Sequence, residues 1–324
     1  MADTSDLRRG ATPPGALRNP KIDAAIERAV QLGDPAELLA LLDRSSGLPA
    51  RRGGVRAPGP DLGPNAPLPR VNLDLARAVG AAIADRGAPA ERLVRALCST
   101  AEEYALIVAA QALASLAARA GGAGQAPRAG GGRRGKGGLD PLEALEELAE
   151  DPRRVVRDGV VAALRAVIAA RGDAVVAELS SWTDGYLQAY VALEALAERT
   201  LLARLSAGAE VVERLEEAFV LSDRSPRADE RLQGLRLLRQ GMPAQIAALA
   251  GRFPEVVRWL EEKTRAERPE SRDVVADAIA ALRKTSFSDA EVDRLSAALG
   301  ATAPTPRYAA RIVQGTRKRS KGRR

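Results

Sequence analysis

Histidine is absent from this sequence, cysteine occurs once (Cys98), and aromatic residues make up only 3% of the chain. Each shortage excludes something. Without histidine there is no Ser-His-Asp or Cys-His nucleophilic machinery, and no His- or Cys-rich zinc site can be built. A single cysteine forms no intramolecular disulfide, which fits a reducing compartment, and Cys98 just before a helix-end cap reads as a small apolar side chain rather than a nucleophile. Aspartates do not recur at the spacing of a calcium-binding EF-hand loop. Arg or Glu interrupts every apolar stretch, so none approaches a membrane span. Residues Met1–Gly10 are polar, with Arg8 and Arg9 and no apolar run behind them, unlike a signal peptide. The sequence therefore predicts a cytoplasmic, non-enzymatic protein with no cofactor, no metal centre and no membrane association.

With so few aromatics, a hydrophobic content of 46% must be carried by Ala, Leu, Val and Ile. Ala and Leu are strong helix formers, and small aliphatic side chains suit closely packed helices better than a sandwich built on aromatic cross-strand pairs. No stretch alternates with period two, so the expected class is all-α.

The net charge of +7 is unevenly placed. Residues 305–324 hold eight Lys/Arg and no Asp/Glu, residues 46–70 hold four Arg against one Asp, and residues 121–138 hold three Arg and one Lys. These segments carry +8, +3 and +4, so the rest of the chain carries −8. A basic chain by composition thus contains an acidic helical body.

Pattern divides the chain into a disordered 1–18, a helical hairpin over 19–45, a linker over 46–70, a helical array over 71–300 and a basic, disordered tail over 301–324. Asn19-Pro20 opens a helix with Ile22, Ile26, Ala29 and Val30 on one face, and Gly33 ends it. Asp34-Pro35-Ala36-Glu37 predicts a capping box, followed by Leu38, Leu39, Leu41 and Leu42 as an apolar face. Six Pro and five Gly within 46–70 rule out a sustained helix there. A final helix is expected from the capping box Ser288-Asp289-Ala290-Glu291 to Gly300.

Between these limits the sequence repeats. Residues 95–104 align with 146–155, and Ala112-Leu113 with Ala163-Leu164, at an offset of 51 that includes an eighteen-residue Gly-rich insert over 121–138. The underlying unit is about 33 residues. Leu179 then aligns with Leu148, and Ala195-Leu196 with Ala163-Leu164. Each unit reads as a short helix ending in Leu, a turn with a capping residue (Thr100, Asp151, Thr183 or Asp184) and a longer apolar helix. Two more divergent units follow, one running through Leu215, Phe219, Leu232, Leu235 and Leu238, the other through Leu260, Val274, Val275 and Leu282.

The stretch Leu148-Ala149-Glu150-Asp151-Pro152-Arg153-Arg154-Val155-Val156-Arg157, leading to Ala162-Ala163-Leu164, resembles the HEAT-repeat consensus. The resemblance covers roughly residues 89–285. It implies a right-handed α-solenoid of antiparallel helix pairs, with Leu148, Asp151, Pro152, Arg157 and Leu164 in repeat-structural roles and a protein partner along the solenoid surface.

Three other features bear on function. Gly130-Gly131-Gly132-Arg133-Arg134-Gly135-Lys136 matches the first seven positions of a phosphate-binding loop, but Gly137 stands where a Mg²⁺-binding Ser/Thr belongs and no strand precedes it. It reads as a basic loop. Arg133, Arg134 and Lys136, with Arg317, Lys318, Arg319, Lys321, Arg323 and Arg324 of the tail, are the candidate nucleic-acid contacts. Finally, Trp182, Asp184 and Trp259 are similar in composition to the cleft of HEAT-like DNA alkylpurine glycosylases, although their positions do not match that family's motif. Packing for the tryptophans and a cap for Asp184 is the competing expectation.

Overall fold

The computed structural model describes residues 20–48, 71–122, 138–285 and 287–302. Within them all regular structure is helical, in fifteen α-helices and three short 3-10 turns. No described helix is long and apolar enough to cross a membrane. The N-terminal segment, the greater part of the Pro/Gly-rich stretch and of the Gly-rich insert, and the basic tail lie outside the described residues.

Helix α1 (Pro20–Leu32) begins at proline, whose missing amide hydrogen costs nothing in a first turn. It buries Ala25, Ile26, Ala29 and Val30. The capping box expected after it does not form. Helix α2 (Ala36–Leu42) starts with Pro35 at the cap, Asp34 Oδ1 accepts from the Ala36 amide at 2.9 Å, and Glu37 turns to α1, where Arg28 Nε donates to it at 2.9 Å. The partner on the neighbouring helix wins over the local one. A seven-residue helix can bury only a narrow stripe, here Leu38 and Leu42, and Leu41 is left 38% exposed.

Helix α3 (Leu73–Ala84) is capped by buried Asn72, whose Oδ1 accepts from the Leu75 amide at 3.1 Å while its Nδ2 donates to Ser45 O at 3.0 Å. Tyr104, at the start of α5 (Glu103–Gly122), donates its hydroxyl to the Asn72 carbonyl at 3.0 Å. One side chain thus ties the chain before the Pro/Gly-rich stretch to the helices after it. Helix α1 also packs on α3 and on α4 (Ala88–Cys98).

Asp140 caps α6 (Pro141–Ala149), accepting from the Leu142 and Glu143 amides. Helix α7 (Arg154–Arg171) buries Val156, Val160, Ala163, Leu164 and Val167, the face its periodicity predicts. Gly172, at φ +62, sits in the left-handed region that a side chain disfavours and lets α8 (Asp173–Glu178) break away sharply. A 3-10 turn over Ser181–Asp184 leads to α9 (Tyr186–Leu196), and the four-residue α10 (Arg199–Leu202) has no counterpart in the sequence reading. Helices α11 (Gly208–Asp223), α12 (Gln233–Ala250), α13 (Pro254–Lys263), α14 (Pro269–Leu282) and α15 (Asp289–Ala301) follow. Leu232, expected on the buried face of α12, precedes the helix and is 47% exposed. At α15 the Ser288 hydroxyl accepts from the Glu291 amide at 3.3 Å and donates to the Glu291 carboxylate at 2.8 Å.

The long helices touch in chain order: α3 on α5, α5 on α7, α7 on α9, α9 on α12 and α12 on α14. Gly80 of α3 lies against Gln111 and Ala112 of α5, and Arg119 farther along α5 donates to Ala84 O at 2.8 Å. Gly234 of α12 lies against Tyr186 and Leu187, Gly241 against Tyr190, and Gln245 bonds Glu194 at 3.1 Å. Residue numbers rise together in both pairs. Helices α3 and α5 therefore run in the same direction, as do α9 and α12. Helices α6, α11 and α13, each shorter than the helix that follows it, pack beside this row, α6 on α5 and α7, α11 on α9 and α12, and α13 on α12 and α14. The buried side chains form one cluster, mainly Ala, Leu, Val and Ile, with glycine where backbones approach most closely.

Candidate interaction surface

Along one edge of the row, each turn into a long helix is held by side chains bonding backbone carbonyls. Thr100, Thr183 and Thr264 donate their hydroxyls to the carbonyls three residues earlier, at 2.9, 2.7 and 2.7 Å. They satisfy carbonyls at the end of the preceding turn, which lack helical partners, whereas the sequence predicts Thr100 and Thr183 as caps of the next helix. Arginines do the rest. Arg157, Arg236 and Arg272 each stand four residues beyond the residue that precedes their helix. Arg157 donates to Asp151 O and Pro152 O at 2.8 and 2.7 Å, Arg236 to Arg231 O at 2.8 Å, and Arg272 to Thr264 O and Ala266 O at 3.3 and 3.2 Å. Arg153 and Arg268, at the caps themselves, reach back to the previous such turn: Arg153 to Ala101 O at 2.6 Å, Arg268 to Asp223 O and to Ser225 O at 3.1 Å.

Asp151 belongs to this edge. It accepts from the Arg153 amide at 2.8 Å and from Arg153 Nε and Nη2 at 2.9 and 2.6 Å, not from an amide inside α7. Asp173 accepts from the Ser206 and Ala207 amides at 2.9 and 3.1 Å and from the Ser206 hydroxyl. Burial works to raise both carboxyl pKa values, but the hydrogen bonds outweigh it and hold both below the ordinary aspartate value. Because the folded values are depressed, the stability they contribute is present above about pH 4 and is lost as pH falls through the folded values. Melting temperatures measured downward from about pH 5 should fall less steeply in Asp151→Asn and Asp173→Asn than in the wild type. Parallel curves for all three would remove these carboxylates from the account.

A groove of about 460 Å³ opens on the same edge, between the 181–184 turn and the end of α11. Val220, Leu221 and Pro226 supply apolar surface; Asp184, Tyr186, Glu217 and Arg224 supply polar groups. Glu217 is positioned by Thr183 Oγ1 at 2.7 Å and Arg214 Nη2 at 2.9 Å. The Tyr186 hydroxyl donates to Asp229 at 2.8 Å, and burial together with that carboxylate pushes its pKa up to about 12. Beside the groove, Ser181 Oγ donates to Glu146 at 2.7 Å and Gln188 bonds Glu150. Burial first, and the nearby Asp184, Glu143 and Glu150 carboxylates, push the Glu146 carboxyl upward. The sequence carries no Lys or Arg over 140–152 or over 172–198.

Along α7 and between it and α9 and the turn after it, charges pair instead. Arg165 pairs with Glu194 and Glu198 at 3.3 and 3.2 Å, and Arg154 with Asp158 at 3.7 Å. On the shorter helices, Glu216 accepts from Trp259 Nε1 at 2.7 Å and from Lys263 at 2.8 Å, and the Phe219 and Trp259 rings meet edge to face at 5.5 Å.

Of the residues singled out in the sequence, Leu148, Arg157 and Leu164 are buried, Asp151 is half-buried and Pro152 is exposed. Arg133, Arg134, Lys136, Arg317, Lys318, Arg319, Lys321, Arg323 and Arg324 lie outside the described residues. Trp182 and Trp259 are core residues at 1% and 5% exposure, and the groove that contains Asp184 contains neither. Sequence reading missed Arg153, Arg268 and Arg272 as turn ligands. The recurring Arg-x-x-x-Arg at 153/157 and 268/272 is the signal that marks them.

Cys98 is half-buried, and its thiol is pushed up to about 11 by burial and by the Glu147 carboxylate. Maleimide labelling near about pH 8 should run about a hundredfold slower than in the urea-unfolded chain. Equal rates would show a reactive thiol.

No family model, curated protein or solved structure matches this chain.

Proposed function

We propose that this chain is a non-catalytic scaffold of HEAT-like repeats, a right-handed solenoid of antiparallel helix pairs that binds a protein partner along its surface. The observation that carries the reading is the row of long helices touching in chain order, with shorter helices packed beside it. Repeats that contact only their neighbours build an extended face rather than a closed pocket, and such faces serve macromolecular partners. The pairs of Arg165 with Glu194 and Glu198 suit a polar, charge-steered interface. The test is affinity capture with the full chain and with a chain lacking residues 305–324. The same protein partner should be retained by both and should survive nuclease treatment. A partner lost on nuclease treatment, or lost with the tail, would sink the reading.

A second reading rests on the eight Lys/Arg of residues 305–324, which would anchor the protein to nucleic acid by releasing counterions. It requires a DNA or RNA affinity that falls steeply with salt, with a log–log slope of about −0.9 per neutralised phosphate on duplex DNA, and a flatter slope once 305–324 is deleted.

A further inference from the structure

We propose that the groove between the 181–184 turn and the end of α11 is the docking site of the chain's own basic segment, residues 305–324. The place where the described chain ends makes this short-range. Thr302 Oγ1, just beyond α15, donates to Thr264 O at 2.8 Å, and Arg272 holds Leu299 O and Thr302 O at 2.6 and 2.9 Å. Arg268, from the same turn, bonds Ser225 O at 3.1 Å, and Ser225 lines the groove. The chain therefore leaves the described structure on the edge that carries the groove, with a single intervening turn. Residues 303–324 span up to about 70 Å when extended, ample for that path.

Charge favours this groove, because the bordering stretches 140–152 and 172–198 carry acids and no Lys or Arg. Glu143, Glu146, Glu147, Glu150 and Asp184 form no ion pair within the described residues. Some carboxylates elsewhere are held in ion pairs, Glu194 and Glu198 by Arg165, Glu216 by Lys263 and Glu255 by Arg258, and those of α13 and α14 are interspersed with Arg258, Lys263, Arg265, Arg268 and Arg272. Glu217, on the groove wall, pairs with Arg214, and Arg224 is the one cation among the lining residues. The docking segment carries eight Lys/Arg and no acid, and Ile312 and Val313 within it match the apolar floor of Val220, Leu221 and Pro226. The inference holds whether or not the helix row is a HEAT-like solenoid.

Zero-length carbodiimide cross-linking of the full-length protein, read by mass spectrometry, tests it. Lys318 and Lys321, the two lysines of the segment, should join Asp184, Glu143, Glu146, Glu147 or Glu150 within the monomer. The yield should drop about tenfold near 1 M NaCl, where the screening length is about 3 Å. It should drop likewise in the double variant Glu143→Arg, Asp184→Arg, whose two exposed positions leave the core untouched. Links spread evenly to Glu255, Glu262 and Asp277, links only between copies, or no links at all would overturn the proposal. If the double variant misfolds, the wild-type salt series still decides. No partner enters the experiment, so failure here is separate from failure of the capture test.

Discussion

Replacing Gly80 with alanine is expected to cost about 3 kcal/mol or more of stability and to lower the melting temperature by roughly 6 °C or more. A Cβ on Gly80 would lie 2.6 Å from Ala112 N, 2.7 Å from Gln111 C and 2.8 Å from Gln111 Cβ. Two of these atoms are backbone, so relief requires α3 and α5 to separate. That movement would open contacts around Leu75, Ile83 and Leu113, all essentially unexposed. The roughly 1 kcal/mol that alanine returns in helix propensity does not offset the clash. Gly159 provides the control. It faces α5 from the other side, but its added Cβ meets Ile107 Cγ1 at 2.9 Å, a side-chain atom that can rotate away. Gly159→Ala should cost only about 1 kcal/mol. Thermal melts of both variants check the ordering; a Gly80→Ala protein as stable as the wild type would refute the close approach.

The second large effect belongs to Arg157. Its side chain is 2% exposed, and its guanidinium carries the carbonyls of Asp151 and Pro152. Arg157→Ala removes two charge-assisted hydrogen bonds, strands two carbonyls and leaves a void, for an expected loss of about 3–4 kcal/mol. Arg157→Leu should recover the packing but not the bonds, and so fall between alanine and wild type. Arg157→Lys keeps a donor and should be the mildest of the three. Equal losses in all three would mean that packing alone matters at this position. Urea midpoints separate these outcomes without assuming that the whole chain unfolds in one step.

Much of this molecule is legible residue by residue. The buried stripe of α7, the start of α1 at Pro20 and the Ser288 cap of α15 all follow from spacing and capping chemistry within a dozen residues. The failures have two kinds of cause. Glu37 forms an ion pair with Arg28 because α1 lies alongside, Leu232 is exposed because the chain is still turning there, and Thr100 and Thr183 bond backward rather than forward. The first depends on what stands opposite, about which local pattern carries no information; the others are choices between two local outcomes, helix start or continued turn and forward or backward bond, that the same residues satisfy equally well.

The same division separates the charge of the segments from the shape of the surface. By itself the amino-acid sequence determined an all-helical chain with a small-aliphatic core, acidic over its helices and basic in the segments between and after them. Only the tertiary structure decided which carbonyl each arginine reaches, where the groove opens and why it borders carboxylates that form no ion pair among the described residues. Hydrophobic period and caps act across one helical turn, whereas those bonds join residues up to fifty-two positions apart, as from Arg153 to Ala101, and exist only once the helices have packed.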